Sequence, residues 1–138
     1  MLLSKYKKGH PVLDFEVYAE KCIRIKTKAG TLLPLKFNIH QKRVWFTILY
    51  MVSKGMPIRI ILLKARQVGG TTFFTALVYW LTANDYYKSS MSVAHDDPTT
   101  KKIFMMVRTY HEKLPEVLRP MTKHSSAKEL LFENPSRS

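Results

Sequence analysis

The chain has 138 residues, 46% of them apolar and 12% aromatic, which excludes an intrinsically disordered polymer and provides enough material for one core. Its 23 Lys and Arg against 10 Asp and Glu leave a formal net charge of +13, a balance that favours a polyanionic partner such as nucleic acid, because each neutralised phosphate releases counterions. The single cysteine, Cys22, excludes an internal disulfide or a multi-cysteine metal site and fits a reducing intracellular setting, and no apolar run approaches the roughly 18 residues of a membrane span.

From the N-terminus, Pro11 to Glu20 reads as a short helix. "CIRIKTKAG" alternates apolar and basic residues, the period of a half-buried strand, and Ala29-Gly30 signals a turn. "TLLPLKF" returns as its partner, confined to an edge by Pro34. Asn38 is an N-cap for the helix "IHQKRVWFTILYMVSKG", whose Val44, Phe46, Ile48, Leu49, Tyr50 and Met51 make a broad apolar face and which Gly55 closes. "PIRIILLKA" is a β-branched apolar run, the mark of a strand buried on both faces. "TTFFTALVYWLTAN" is apolar almost all round and reads as a buried helix. "KSSMSVAH" is a second candidate strand. Asp97 before Pro98 starts a helix through "TTKKIFMMVRTYHEKL", and "ELLFE" is a third strand. Alternation of strands and helices predicts an α/β fold with a parallel sheet and right-handed crossovers.

Between the first such strand and its helix lies "KARQVGGTT", residues 64–72. A phosphate-binding loop has the form G-x-x-x-x-G-K-S/T; here Gly70 stands where the lysine belongs, before Thr71 and Thr72. The context still fits such a loop. Gly69 and Gly70 permit close approach of a ligand, and the following helix N-terminus offers unpaired N–H groups to an anion. Thr71, with Thr72 beside it, is placed to put a hydroxyl on Mg²⁺. Lys64, or Arg66 with its guanidinium fork, is the candidate replacement cation. An ordinary strand-to-helix turn with two solvated charges accounts for the same letters.

"LLKARQVGGTT", then "ALVYWLTA", then "SVAHDDPTTKKIFMMVRTYHEKLPEVLRP" resemble the ATPase domain of the large terminase subunit of tailed bacteriophages. That family has a variant Walker A loop with an R-Q pair, and in some members its lysine stands at the start of the loop. Lys64 matches the displaced lysine, and Arg66-Gln67 match the pair. "ELLFEN" is similar to a later core strand, and "IRIKTKAGTLLPLKFNIHQKRVW" to the lead-in where a glutamine, here Gln41, contacts adenine. The resemblance covers residues 20–135 and implies a RecA-like P-loop NTPase core, with residues 1–20 as a lead-in and 21–138 as the N-terminal part of the ATPase domain. It implies that ATP and Mg²⁺ are held by Gln41 and by Lys64, Ala65, Arg66, Gln67, Val68, Gly69, Gly70, Thr71 and Thr72, with Thr71 on the metal.

The same resemblance implies hydrolysis coupled to translocation of duplex DNA into a procapsid, in the cytoplasm of an infected bacterial host. A portal protein, a small terminase subunit and further copies in a ring would be its partners, and no membrane would be involved. The family's Walker B Asp-Glu pair and nuclease domain are expected beyond Ser138, so the chain reads as an N-terminal portion with its catalytic residues unassigned. Asp96-Asp97 could replace that pair, but an acid opening a helix is an ordinary N-cap. Two rival readings stand: a basic nucleic-acid-binding module without nucleotide chemistry, and a helicase-like ATPase. The five scattered histidines have no metal-ligand spacing. Phe104, Met105, Met106 and Tyr110 read as core, and Lys101, Lys102 and Arg108 as a basic face.

Overall fold

The computed structural model describes residues 10–63, 69–85, 88–126 and 129–132. A 3-10 turn at Pro11–Leu13 leads into helix α1, Phe15–Cys22. Asp14 caps it, its carboxylate accepting from the N–H groups of Glu16 and Val17 at 3.0 and 3.4 Å. Strands β1, Arg24–Lys26, and β2, Leu32–Pro34, form the expected antiparallel hairpin, with Ile25 opposite Leu33. Gly30 turns it at φ 85°, a conformation side chains resist.

Helix α2, Ile39–Ser53, begins with a reciprocal capping box. Asn38 Oδ1 accepts from the Gln41 N–H at 2.9 Å, and Gln41 Oε1 accepts from the Asn38 N–H at 3.0 Å. Gly55 at φ 67° ends it. The face that packs is not the full apolar stripe read from the sequence: Gln41, Trp45 and Ile48 are buried, while Phe46, Leu49 and Tyr50 face solvent. Helix α3, Gly70–Asn84, is buried along most of its length, as its composition predicts. Helix α4, Asp97–Glu112, follows, with Asp96 as its cap in place of the expected Asp97; Asp96 Oδ1 accepts from the Thr99 N–H at 2.9 Å. A second hairpin pairs β3, Thr122–Ser125, with β4, Leu130–Phe132.

The core is aromatic. The ring of Phe15 lies 5.2 to 5.6 Å from those of Phe37, Trp45, Phe73 and Trp80, and each well-oriented pair contributes about 0.5–1.5 kcal/mol beyond burial. Trp80 Nε1 donates to the Val12 carbonyl at 2.7 Å, tying the chain's start to α3. Phe15, within the expected lead-in, therefore shares one core with residues 37–80.

The RecA-like P-loop core with a parallel sheet is corrected by this architecture. Among the described residues the strands form two separate two-stranded sheets, both antiparallel. Of residues 57–65, expected as a strand buried on both faces, the described ones, 57–63, form no ladder, and Ile61 and Leu63 are 100% and 98% exposed; Lys64 and Ala65 lie outside the described residues. Residues 88–95, expected as a second strand, likewise contain none, with Met91 and Val93 exposed. "ELLFE" does contain a strand, but it pairs antiparallel within a local hairpin. The physical reason is that an apolar β-branched run records a preference for extended backbone and burial, whereas a parallel sheet also requires a neighbouring ladder from distant chain. Local hairpins close over few residues and need no such neighbour.

Candidate phosphate-binding turn at the start of α3

Of the ten residues assigned to the site from the sequence, five lie among the described ones. Gln41, Gly69, Gly70, Thr71 and Thr72 are placed; Lys64, Ala65, Arg66, Gln67 and Val68 lie outside the described residues. Gly69 is the N-cap of α3 at φ 74° and ψ 16°, and among the described residues no side chain caps the helix. The N–H groups of Gly70, Thr71 and Thr72 make no hydrogen bond among the described residues, the first intrahelical bond being Phe73 N–H to the Gly69 carbonyl at 3.0 Å. Thr71 is exposed and Thr72 half-buried.

The placed residues are brought together by Gln41. Its side chain is 5% exposed, and its Nε2 donates to the Gly69 carbonyl at 3.0 Å while its Oε1 holds the Asn38 N–H. One carboxamide thus spans the first turn of α2 and the cap of α3. A methyl group on Gly69 would sit 2.7 Å from Gln41 Nε2, so the left-handed backbone favours glycine here and any side chain would have to displace the Gln41 carboxamide. The N-terminal ends of α2 and α3 therefore converge, adding two positive dipole ends at one place. The sequence marked Asn38, Gln41 and Gly69 singly. That a single amide joins them was beyond sequence reading, because the contact spans 28 positions.

Metal fit is limited. Among the described residues no group of three or more His, Cys, Asp or Glu side chains could hold an ion. The described residues would suit Mg²⁺ only as part of a nucleotide complex, to which the exposed Thr71 could lend a hydroxyl. Asp96, weighed as half of a catalytic pair, is occupied as a cap: its hydrogen bonds from Thr99, helped by Lys102, hold its carboxyl below the usual range. His95 lies against it, Nε2 to Oδ2 3.5 Å, in solvent.

A second polar cluster escaped the sequence reading. His111, buried near the end of α4, places Nδ1 3.1 Å from the Tyr79 hydroxyl of α3 and Nε2 2.9 Å from Thr122 Oγ1 of β3. The rings of Tyr79 and Phe132 pack around it. Burial, with Arg119 nearby, pushes its pKa below that of a free imidazole, and Glu112 opposes weakly. Burial also raises the Tyr79 phenol, keeping it a donor. No spacing rule signals this group, because its members come from three elements.

No protein-family model matches the chain, and no curated protein or solved structure matches it either. Among the described residues, no helix is long and apolar enough to cross a membrane.

Proposed function

We propose that the chain binds the phosphates of ATP, with Mg²⁺, at the start of α3, and contributes this site to a motor that moves duplex DNA, as in the large terminase subunits it resembles. The observation that carries the reading is the convergence of the α2 and α3 N-termini at Gly69, with the first N–H groups of α3 making no hydrogen bond among the described residues. Such groups and the dipole behind them favour an anion. Gln41 acts as the clasp that fixes the turn, with its remaining amide hydrogen for the base. Lys64 or Arg66 supplies the cation that a standard phosphate loop keeps beside its final hydroxyl, and Thr71 supplies the metal's protein oxygen. Mg²⁺, when bound, neutralises charge across the β and γ phosphates. The net charge of +13 suits a duplex DNA track. A portal protein, a small terminase subunit, a ring of copies on a procapsid and the cytoplasm of an infected bacterium belong to the same proposal.

The test is fluorescence anisotropy of a non-hydrolysable fluorescent ATP analogue titrated with the chain, with and without Mg²⁺. Saturable, Mg²⁺-dependent binding is expected, about tenfold or more weaker in Lys64→Ala or Arg66→Ala as a charge-assisted contact is lost. Thr71→Val is expected to reduce the Mg²⁺ dependence. A folded chain that ignores the analogue yet retards DNA in a gel favours the second reading, a basic nucleic-acid module. That reading draws on the outer face of α2, where Arg43, Phe46 and Tyr50 are exposed and Lys54 Nζ lies 5.9 Å from the centre of the Tyr50 ring.

A further inference from the structure

The run from Pro57 to Leu63 has the form of a strand with no neighbour among the described residues. Its exposure alternates with the two-residue period of extended chain. Ile58 and Leu62 are 42% and 39% exposed and Ile60 packs on the core, whereas Ile61 and Leu63 on the opposite side are almost wholly in solvent. The backbone of residues 57–63 makes no hydrogen bond among the described residues; Met56, whose N–H reaches the Met51 carbonyl at 2.9 Å, is the last to do so. Four β-branched or leucine side chains and a row of open N–H and C=O groups are therefore presented together, the arrangement that accepts an added strand.

Two features define what fits. Open backbone donors and acceptors in a row are satisfied in register only by another extended polypeptide, which argues against nucleic acid as the occupant. Charge selects among polypeptides. Between Glu20 and Asp85 the sequence contains no carboxylate side chain, while Lys54, Arg59 and Lys64 flank or interrupt the run. A second copy would bring another formal +13 to the contact, which repulsion opposes. We infer that residues 57–63 form a docking edge for an acidic, extended segment of a partner protein, which adds beside them as a β-strand, covers Ile61 and Leu63, and sets carboxylates opposite Arg59. The inference is separate from the nucleotide reading and survives its failure.

The probe is a fluorescein-labelled eight-residue peptide alternating valine and glutamate, with its valine–lysine counterpart as control, titrated into the full chain at moderate salt. Saturable binding of the glutamate peptide is expected, with the amides of residues 58–63 becoming protected in hydrogen-exchange mass spectrometry. The double variant Ile61→Pro/Leu62→Pro removes one N–H from each edge of the run. It should bind about tenfold more weakly, the loss expected for one or two net hydrogen bonds, with an unchanged circular dichroism spectrum. Ile61→Thr keeps the backbone and should bind within a few fold of the parent. Equal binding of both peptides, or undiminished binding by the proline variant, reduces the effect to general electrostatics and overturns the inference. So does sedimentation showing a dimer in which the same amides are protected without peptide, since the occupant is then a second copy.

Discussion

The aromatic core around Phe15 and the extended run at residues 57–63 are made of similarly apolar residues and reach opposite extremes of burial. Phe15, Phe73 and Ile48 are almost wholly enclosed, while Ile61 and Leu63 are bare. What separates them is the origin of their neighbours. The core is assembled by helices whose ends are fixed locally: Asp14 caps α1, Asn38 with Gln41 caps α2, and Gly55 stops it. Once placed, each helix offers a whole face to the next. A strand offers only half a bonding pattern. Its burial depends on a second strand alongside, and nothing within residues 57–63 can supply that.

The sharpest way to break this comparison is to truncate one side chain in each region. Phe15→Ala removes a ring that touches four others and should cost about 3–5 kcal/mol of unfolding free energy. Ile61→Ala should change stability by less than about 0.5 kcal/mol, because its side chain has no packing to lose. Urea unfolding followed by tryptophan fluorescence measures both. A loss of more than about 1 kcal/mol in Ile61→Ala would show that the run is covered in solution. Next in size is Gly69→Ala. It forces a side chain into left-handed backbone, about 1–2 kcal/mol, and presses on Gln41 Nε2. Pairing it with Gln41→Ala relieves the crowding, so the double variant should lose less than the sum of the singles, and the shortfall measures the clasp.

The same contrast explains what the sequence disclosed. Helix positions, the first hairpin and the caps were legible because each depends on residues within a few positions: Asn38 with Gln41, Ala29-Gly30, and an acid before Pro98. Even there the cap of α4 moved from Asp97 to Asp96, since both carboxylates satisfy the local rule and only the backbone path selects one. The parallel sheet was not legible, because β-branched runs such as "PIRIILL" state a preference that only distant chain can fulfil. At the candidate site the glycine turn could be read directly. Its attachment to α2 through Gln41 could not, and neither could the joining of Tyr79, His111 and Thr122 across α3, α4 and β3.

That last group supplies the smallest expected effect and the most selective probe of how the second hairpin is held. With the Tyr79 hydroxyl donating to Nδ1, the single proton of neutral His111 sits on Nε2 and goes to Thr122, satisfying both contacts. A second proton would leave two N–H groups facing that phenol and hydroxyl, in a buried site where desolvation and Arg119 oppose it and Glu112 favours it weakly. The fold therefore binds the neutral ring better, and the unfolded chain takes up the proton first as pH falls. This contribution is complete well above the free imidazole value of about 6.5 and is lost as pH falls through that value toward the lower folded one. His111→Gln can keep both hydrogen bonds and cannot titrate, so the parent should lose stability relative to it between pH 7 and 5. Urea unfolding at each pH measures the difference. Parallel curves would mean that the ring is already open to water, leaving the contact of Phe132 with Tyr79 of α3 to hold the second hairpin.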